Sequence, residues 1–144
     1  MSVFLSTQKV IKDWIDYNDH MNVSYYLLIF DKFGADTLND IFKMGEHSAK
    51  TTKKSTMMVE SHITYNKELL LNDEVDINLV YFNHDKKRLL YKMEMIHKGK
   101  KYVASTFEAL ALYVDLNVRK VTEFEEEKVK IMDVAELIAN ANNL

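Results

Sequence analysis

A long apolar helix is predicted between Ser24 and Met44. Intervals of three and four residues, which are typical of a helix, separate most of its apolar positions: Tyr25, Leu28, Ile29, Phe33, Ala35, Leu38, Ile41 and Phe42. The first half carries further apolar residues at Tyr26, Leu27 and Phe30. A helix that is apolar nearly all round must be buried, so the remaining chain has to enclose it. Asn22 is predicted as its N-cap and Gly45 as its C′ residue.

After this helix the apolar pattern changes to a period of two, which is typical of strands. The alternating segments are Met58–Leu69, Val75–Tyr81, Leu89–His97 and Tyr102–Asp115. Short polar turns separate them, such as NDEV and the segment 83–87. Connections this short imply antiparallel neighbours, because a parallel crossover needs a dozen or more residues.

The two ends of the chain complete the predicted order of elements. Residues 2–15 are predicted as a weakly patterned first strand, and Phe124–Ala141 as a terminal helix with an acidic N-terminus. One sheet wrapped around one apolar helix is an α+β architecture. We expect a single domain over residues 1–144. Because a single sheet leaves an edge or a face to be covered, we also expect an oligomer.

The composition does not indicate a nucleic-acid partner, a membrane location or thiol chemistry. A net charge of −3 and a pI near 5.9 do not favour nucleic acid or an anionic membrane. The N-terminal segment lacks the pattern of a signal peptide, and no apolar run approaches the length of a membrane span. The chain has no cysteine, which rules out thiolate and disulfide chemistry. We therefore expect a cytoplasmic protein.

The polar stretch DWIDYNDHMNVSYY, residues 13–26, immediately precedes the apolar helix. A helix N-terminus offers free backbone N–H groups and a positive partial charge. With Asn22 as the cap, the N–H groups around Val23 and Ser24 would point into the loop, and such donors stabilise an oxyanion in acyl transfer. Asp16 lies upstream and could act as a nucleophile or as a general base for water. The alternative interpretation, a turn and helix cap without catalytic function, stays open on composition alone.

Two other chemistries have less support in this stretch. The HxN and DxxD spacings, without a second cluster, do not form a recognisable set of metal ligands. We therefore expect no metal. Ser24 would lie in the apolar helix without the glycines of a nucleophile elbow, so a Ser–His–Asp triad is not indicated.

The segment DYNDHMNVSYYLLIFD resembles the D-x-x-G-H-M-N-x-x-Y-Y signature of hotdog-fold acyl-CoA thioesterases of the 4-hydroxybenzoyl-CoA thioesterase-like group. The similarity continues through TMMVESHITYNKELLLNDEV, DKKRLLYKMEMIHKGKKYVASTFEALALYVDL and RKVTEF. It covers roughly residues 8–124. Within that group, the segments are most similar to the betainyl-CoA thioesterases of bacterial carnitine breakdown.

The resemblance implies a hotdog fold, in which an antiparallel sheet wraps around the long helix and two subunits form one continuous sheet. It places the active sites at the dimer interface, with coenzyme A bound along the subunit boundary as part of the substrate and no separate cofactor. Asp16 falls on the first acid of the motif and would activate water or attack the thioester carbonyl. Backbone N–H groups near Asn22 and Val23 would polarise that carbonyl. His20 matches the motif histidine and, with Asn22, would shape the loop and cap the helix.

The sequence departs from the motif at Asp19, where much of the family has glycine. Glycine adopts a positive φ readily, and aspartate is among the few other residues that tolerate this conformation. We therefore expect Asp19 to affect the geometry of the loop but not the role of Asp16.

Further candidates for substrate binding lie in the strands. Glu60 and His62 share one face of their strand and match the V-E-x-H-x-x-Y segment of the betainyl-CoA subgroup. A solvated strand face is the alternative for both. Glu108 lies in the middle of an apolar strand and is either outward-facing or part of the pocket, and we predict the pocket.

Aromatic residues are concentrated around the loop: Trp14, Tyr17, Tyr25, Tyr26 and Phe30. Aromatic faces attract quaternary ammonium groups with about 0.5–2 kcal/mol each. Trp14, Tyr17 and Tyr26 would therefore suit a trimethylammonium acyl group such as betainyl, whereas Tyr25 and Phe30 are better explained as core residues.

Together with the resemblance, the sequence predicts a thioesterase that hydrolyses a short, polar acyl-CoA to the acid and free coenzyme A. Betainyl-CoA or a related carnitine-derived thioester is the preferred substrate, and the assembly is a homodimer or a homotetramer. The alternative is a non-catalytic hotdog module that binds an acyl-CoA or a quaternary amine. A hotdog dehydratase is disfavoured, because the D-x-x-x-H-M-N loop precedes the helix in the manner of the thioesterases.

Overall fold

The computed structural model describes residues 2–141. Its strands form one antiparallel sheet and are β1 (Val3–Lys9), β2 (Lys54–Tyr65), β3 (Glu74–His84), β4 (Arg88–His97), β5 (Val103–Asp115) and β6 (Lys120–Val121). The order across the sheet is β1-β3-β4-β5-β2, and the short β6 pairs with β5. The four predicted antiparallel strands are confirmed. One side of β2 pairs with β5, and no strand of the described chain pairs with its other side.

The predicted long helix runs from Val23 to Ile41 through the concave side of this sheet. It consists of α1 (Val23–Ile29), a π-helical turn (Phe30–Ala35) and α2 (Asp36–Ile41). Its buried residues pack against inward-facing residues of the strands, as where the rings of Phe30 and Phe107 stack with centroids 5.0 Å apart. The helix inside the wrapped sheet confirms the α+β class and the hotdog fold.

The middle of the helix departs from regular α geometry, which the spacing of apolar residues did not predict. The carbonyl of Phe33, in the π turn, accepts hydrogen bonds from Ser6 Oγ of β1 at 2.6 Å and from Thr37 Oγ1 at 3.2 Å. In the same turn, a Cβ added to Gly34 would lie 2.7 Å from Met93 Sδ, so glycine allows the helix to approach β4 closely. The π turn is therefore held where β1 and β4 meet the helix.

Several predicted boundaries are wrong. The second strand was expected over Met58–Leu69, but β2 begins and ends four residues earlier, at Lys54 and Tyr65. The first strand was expected over residues 2–15, but β1 ends at Lys9 and a 3₁₀ turn, Lys12–Trp14, follows it. Gly45 was expected as the C′ residue, but the positive φ after the helix belongs to Lys43, at 60°. Gly45 instead stands at the N-cap of α3 (Glu46–Thr51). The helix ends three residues earlier than predicted, so another residue takes the left-handed position.

The terminal helix α4 (Glu126–Ala139) lies within the predicted range 124–141. Asn140 joins it to β3, because its side chain accepts from the N–H of Phe82 at 3.0 Å and donates to the Phe82 carbonyl at 2.7 Å. At the other end of α4, Glu125 accepts from Lys54 Nζ at 3.2 Å and from the nearly buried Lys128 Nζ at 2.9 Å. Among the helices of residues 2–141, none is long and apolar enough to cross a membrane.

Candidate active site

The loop between the 3₁₀ turn and α1 is closed by its own backbone. Ile15 and Met21 form an isolated antiparallel bridge. Inside it, Asp16 N–H donates to the His20 carbonyl at 3.1 Å, and Asp19 N–H donates to the Asp16 carbonyl at 3.0 Å. Asp19 has φ of 59°. The residue that replaces the motif glycine therefore adopts the positive φ that the turn requires, as predicted from its residue type.

Asp16 projects from this loop with both carboxylate oxygens bound. Oδ1 accepts from the backbone N–H of Asn18 at 2.8 Å, and Oδ2 accepts from Asn22 Nδ2 at 3.0 Å. These two hydrogen bonds, the Asn18 bond first, hold the pKa of Asp16 below its usual value, with a smaller contribution from His20. The side chain remains 17% exposed. Asp16 is thus an oriented carboxylate that stays ionised at neutral pH and can still be reached from solvent.

Asn22 connects this carboxylate to the helix. Its backbone is extended, and its Oδ1 accepts from Ser24 N–H at 3.0 Å, which confirms the predicted N-cap. Its carbonyl accepts from Tyr25 N–H at 3.0 Å. Among the described residues none accepts from Val23 N–H, whereas the cap occupies Ser24 N–H. Of the two donors expected from the sequence, Val23 N–H is the one that is free for a ligand oxygen.

His20 lies between two carboxylates. Its Nε2 is 3.9 Å from Asp16 Oδ1, and its Nδ1 is 3.3 Å from Glu68 Oε2. Glu68 is 48 positions away in the chain and was not among the predicted site residues. It lies in the sequence segment KELLL, which follows a strand, and no local spacing relates that segment to the loop.

Two aromatic pairs border the loop. Trp14 and Tyr25 are stacked with ring centroids 5.7 Å apart, and Tyr26 meets Tyr65 edge-on at 5.3 Å. Tyr17 is 92% exposed. Tyr26 is buried, and burial raises its pKa to about 12, so its hydroxyl stays protonated at neutral pH. Trp14 and Tyr17 are therefore the accessible aromatic groups, and Tyr26 belongs to the core beneath them.

The other three predicted binding residues lie on the opposite face of the sheet. His62 of β2 stands opposite Glu108 of β5 in the strand register, and Glu60 shares their outward direction. Glu108 is half-exposed and 3.9 Å from Lys92 Nζ, so it faces outward, and there it lines a surface cavity with Tyr81 and Lys92. No hydrogen bond or ion pair in the described chain joins these residues to the loop at 16–22.

One group of possible metal ligands lies away from the loop: His84, Asp133 and Glu136 place ligand atoms within 4.8 Å of one another. His84 Nε2 is already 2.7 Å from Asp133 Oδ1, and its Nδ1 is 3.1 Å from the Asp85 carbonyl. The contact between His84 Nε2 and Asp133 Oδ1 is a hydrogen bond that joins α4 to the end of β3.

Comparison with known proteins shows the family of this chain. Residues 10–136 match the model of a family described as the thioesterase-like superfamily. The chain is also 26% identical over 129 residues to the betainyl-CoA thioesterase of Pseudomonas aeruginosa, an alignment that covers 88% of this chain and 80% of that protein.

Two solved structures from Staphylococcus aureus share the fold. One is a protein in complex with CoA, with a TM-score of 0.82 and 24% identity over 94% of this chain and 85% of that chain. The other is a DHNA-CoA thioesterase, with a TM-score of 0.84 and 10% identity over 99% of this chain and 96% of that chain. Since the family model spans most of the sequence, the chain belongs to the thioesterase-like superfamily and is a thioester hydrolase of the hotdog fold.

Proposed function

We propose that this protein hydrolyses a short, polar acyl-CoA to the acid and free coenzyme A, with betainyl-CoA or a related carnitine-derived thioester as the substrate. The observation that carries the proposal is the position of Asp16 in the loop whose last residue caps the helix. An ionised carboxylate and the unpaired N–H of Val23 then lie at the same helix end.

In the proposed reaction the thioester carbonyl oxygen accepts a hydrogen bond from Val23 N–H. This donor, supported by the positive end of the helix dipole, stabilises the negative charge that develops on the oxygen during attack. Asp16 either attacks the carbonyl carbon or directs a water molecule to it. Collapse of the tetrahedral intermediate breaks the C–S bond and releases coenzyme A as the thiolate. Attack by water leaves the acid directly, whereas attack by Asp16 leaves an acyl-aspartate anhydride that a water molecule then hydrolyses to the acid and free Asp16. In both routes the thiolate takes up the proton that the water loses.

The accessible aromatic residues support a cationic acyl group. Trp14 is held by its stack on Tyr25, and Tyr17 is almost fully exposed beside Asp16 in the sequence. A trimethylammonium group on either ring face gains about 0.5–2 kcal/mol. The 26% identity to a betainyl-CoA thioesterase supports the same substrate class.

We further propose that the enzyme works as a homodimer, or as a tetramer of such dimers, in which β2 pairs with β2 of a second subunit. Three apolar residues of β2 are exposed, Met57, Met58 and Val59, and Met58 lines a surface cavity with Leu27 and Leu28 of α1. An exposed apolar strand without a partner on one side favours pairing with another chain. That pairing would bring Glu60 and His62 to the interface, with Glu108 opposite His62 in the strand register.

The first test measures thiol release from a panel of acyl-CoA thioesters that includes betainyl-CoA, acetyl-CoA and a long-chain acyl-CoA. We expect the highest kcat/KM with betainyl-CoA. Asp16→Asn should lower kcat by about 10²–10⁴-fold, because the reacting carboxylate is lost. Asp13→Asn is the matched control, since Asp13 is exposed in the preceding 3₁₀ turn, and it should keep full activity.

Two outcomes would contradict the proposal. Full activity of Asp16→Asn would refute the assigned carboxylate. Tight binding of an acyl-CoA without thiol release from any thioester would favour the non-catalytic binding module instead.

The assembly is tested by sedimentation of the wild type and of Val59→Lys. The wild type should sediment with at least twice the monomer mass of 16.9 kDa. A lysine in the exposed edge should give monomers and abolish thiol release. Leu137→Lys, at an exposed leucine of α4, should stay oligomeric. An active wild-type monomer would refute the shared interface.

A further inference from the structure

The segment that follows β2 is attached to both the sheet and the loop by backbone hydrogen bonds. Lys67 N–H donates to the Ala104 carbonyl of β5 at 3.1 Å. Two residues later, the Leu69 carbonyl accepts from Met21 N–H at 2.8 Å. Glu68 lies between these two attachments, so its backbone is held beside the loop and does not depend on its own side chain for its position.

The carboxylate of Glu68 lies beside one ring nitrogen of His20, with Glu68 Oε2 3.3 Å from His20 Nδ1. An ionised carboxylate attracts an N–H and repels a nitrogen lone pair. This contact therefore favours a proton on Nδ1. In the neutral imidazole the lone pair is left on Nε2, the nitrogen that is 3.9 Å from Asp16 Oδ1.

This 3.9 Å separation fits a shared water molecule. One water oxygen can lie about 2.8 Å from both His20 Nε2 and Asp16 Oδ1, which is the normal distance for these hydrogen bonds. Such a water would donate one hydrogen to each of the two residues. Its lone pairs would then face away from both, towards a bound carbonyl.

We propose that Glu68 is a positioning residue, which orients His20 so that His20 Nε2 accepts the proton of the hydrolytic water. This inference rests on the proposed thioesterase function and adds a residue and a proton acceptor to it. The O–H bond of water breaks, its proton moves to Nε2, and the hydroxide oxygen bonds to the thioester carbonyl carbon. When the C–S bond breaks, the thiolate takes up the proton from Nε2, so one water and one thioester give one acid and one thiol.

The electrostatics of the loop support this division of roles. The hydrogen bonds to Asp16 lower its pKa, which makes the carboxylate a weaker base than an ordinary aspartate. An imidazole is intrinsically a stronger base than a carboxylate. Asp16 is thus suited to hold the water or to attack, and His20 to remove the proton.

The tautomer of His20 can be measured without any substrate. In two-bond ¹H–¹⁵N correlation spectra of the wild type, at a pH at which the imidazole is neutral, we expect the Nδ1–H tautomer. Glu68→Ala should shift the ring towards the Nε2–H tautomer, which neutral imidazole side chains prefer in water. Glu123→Ala is the matched control, since Glu123 is an exposed glutamate next to β6, and it should leave His20 unchanged. An Nε2–H tautomer in the wild type would overturn the proposal.

The kinetic test uses Glu68→Ala, His20→Ala and the double variant with the best thioester. Glu68→Ala should lower kcat about 10–100-fold with little change in KM, which is less than the roughly 10²–10⁴-fold effect of losing a general base itself, because Glu68 acts only through His20. In the His20→Ala background, Glu68→Ala should have no further effect, because Glu68 acts through His20. Glu68→Gln, whose amide oxygen still accepts from Nδ1, should restore most of kcat. Additive losses, or an unchanged kcat in Glu68→Ala, would overturn the proposal.

The two levels of inference fail in different ways. If the wild type releases no thiol from any thioester, the proposed function fails, and the tautomer measurement alone decides whether Glu68 orients His20. If the wild type is active and Glu68→Ala matches it, only the role of Glu68 is refuted.

Discussion

Asn22 joins the stability of the central helix to the ionisation of Asp16, and two substitutions separate these effects. Its Oδ1 caps Ser24 N–H, and its Nδ2 donates to Asp16 Oδ2. Asn22→Ser keeps a side-chain oxygen for the cap but loses the donor to Asp16. Asn22→Ala loses both. The difference in stability between the two variants is therefore the contribution of the cap. The change in the pKa of Asp16 that both variants share is the effect of losing the Nδ2 donor.

The cap should contribute about 1 kcal/mol to the free energy of unfolding, the usual effect of replacing such a residue by alanine. For a chain of 144 residues, this corresponds to a loss of about 3–4 °C in Tm for Asn22→Ala relative to Asn22→Ser. The Asn18 N–H bond, the largest cause of the lowered pKa of Asp16, stays in both variants. We therefore expect that pKa to rise in both, while staying below its usual value.

The sign of the pH effect follows from the same contacts. The pKa of Asp16 is lowered in the folded protein, so its ionised form persists until the pH falls below 3.8, its ordinary value. Loss of the Asn22 donor moves protonation to higher pH. A carboxyl ¹³C titration of Asp16 between pH 2 and 6 measures this change, and thermal unfolding at pH 7 measures the cap. An unchanged Asp16 titration in both variants, or equal Tm values for serine and alanine, would refute the reasoning.

Two further predictions concern the attachment of α4. Burial alone would raise the pKa of Glu125, but hydrogen bonds led by the one from the Lys128 ammonium lower it to about 2. Ionised Glu125 therefore stabilises the folded protein above pH 4.5, and this stabilisation is lost as the pH falls towards 2. Glu125→Gln should lower the free energy of unfolding by about 1–3 kcal/mol at pH 7. This is less than the cost of breaking a fully buried ion pair, because a third of the Glu125 side chain is exposed. Urea unfolding at pH 7 and pH 3 should show that the stability of the variant depends less on pH than that of the wild type. An equal pH dependence would contradict this. Asn140→Ala leaves the N–H and carbonyl of Phe82 without their side-chain partner and should cost about 1–3 kcal/mol. Hydrogen exchange of the Phe82 amide should accelerate, and unchanged exchange would show that the bond does not hold α4.

Features that depend on local chemistry were predicted from the sequence. Asn22 was recognised as a cap because an amide oxygen before an apolar helix satisfies a free N–H. Asp19 was expected to tolerate a positive φ, and it has one. Gly45 was misplaced, because the end of a helix depends on which turn still packs against the sheet, and the left-handed residue there is Lys43.

Features that depend on tertiary contacts were not predicted. The π turn at Phe30–Ala35 follows from close packing of the helix between β1 and β4, and the spacing of apolar residues does not distinguish it from a regular helix. The outward direction of Glu108 depends on which face of β5 meets the helix. The residues alternating with Glu108, Phe107 and Ala109, are the buried ones.

The sequence by itself determined the order of the five long strands, the central helix and the terminal helix, together with the loop that carries Asp16. These follow from hydropathy periods and from capping chemistry, which act over a few residues. Only the tertiary structure decided that the segment after β2 closes on that loop and places Glu68 beside His20. The physical reason is that a contact between residues 48 positions apart arises from the curvature and register of the sheet, and no short spacing in the chain records it.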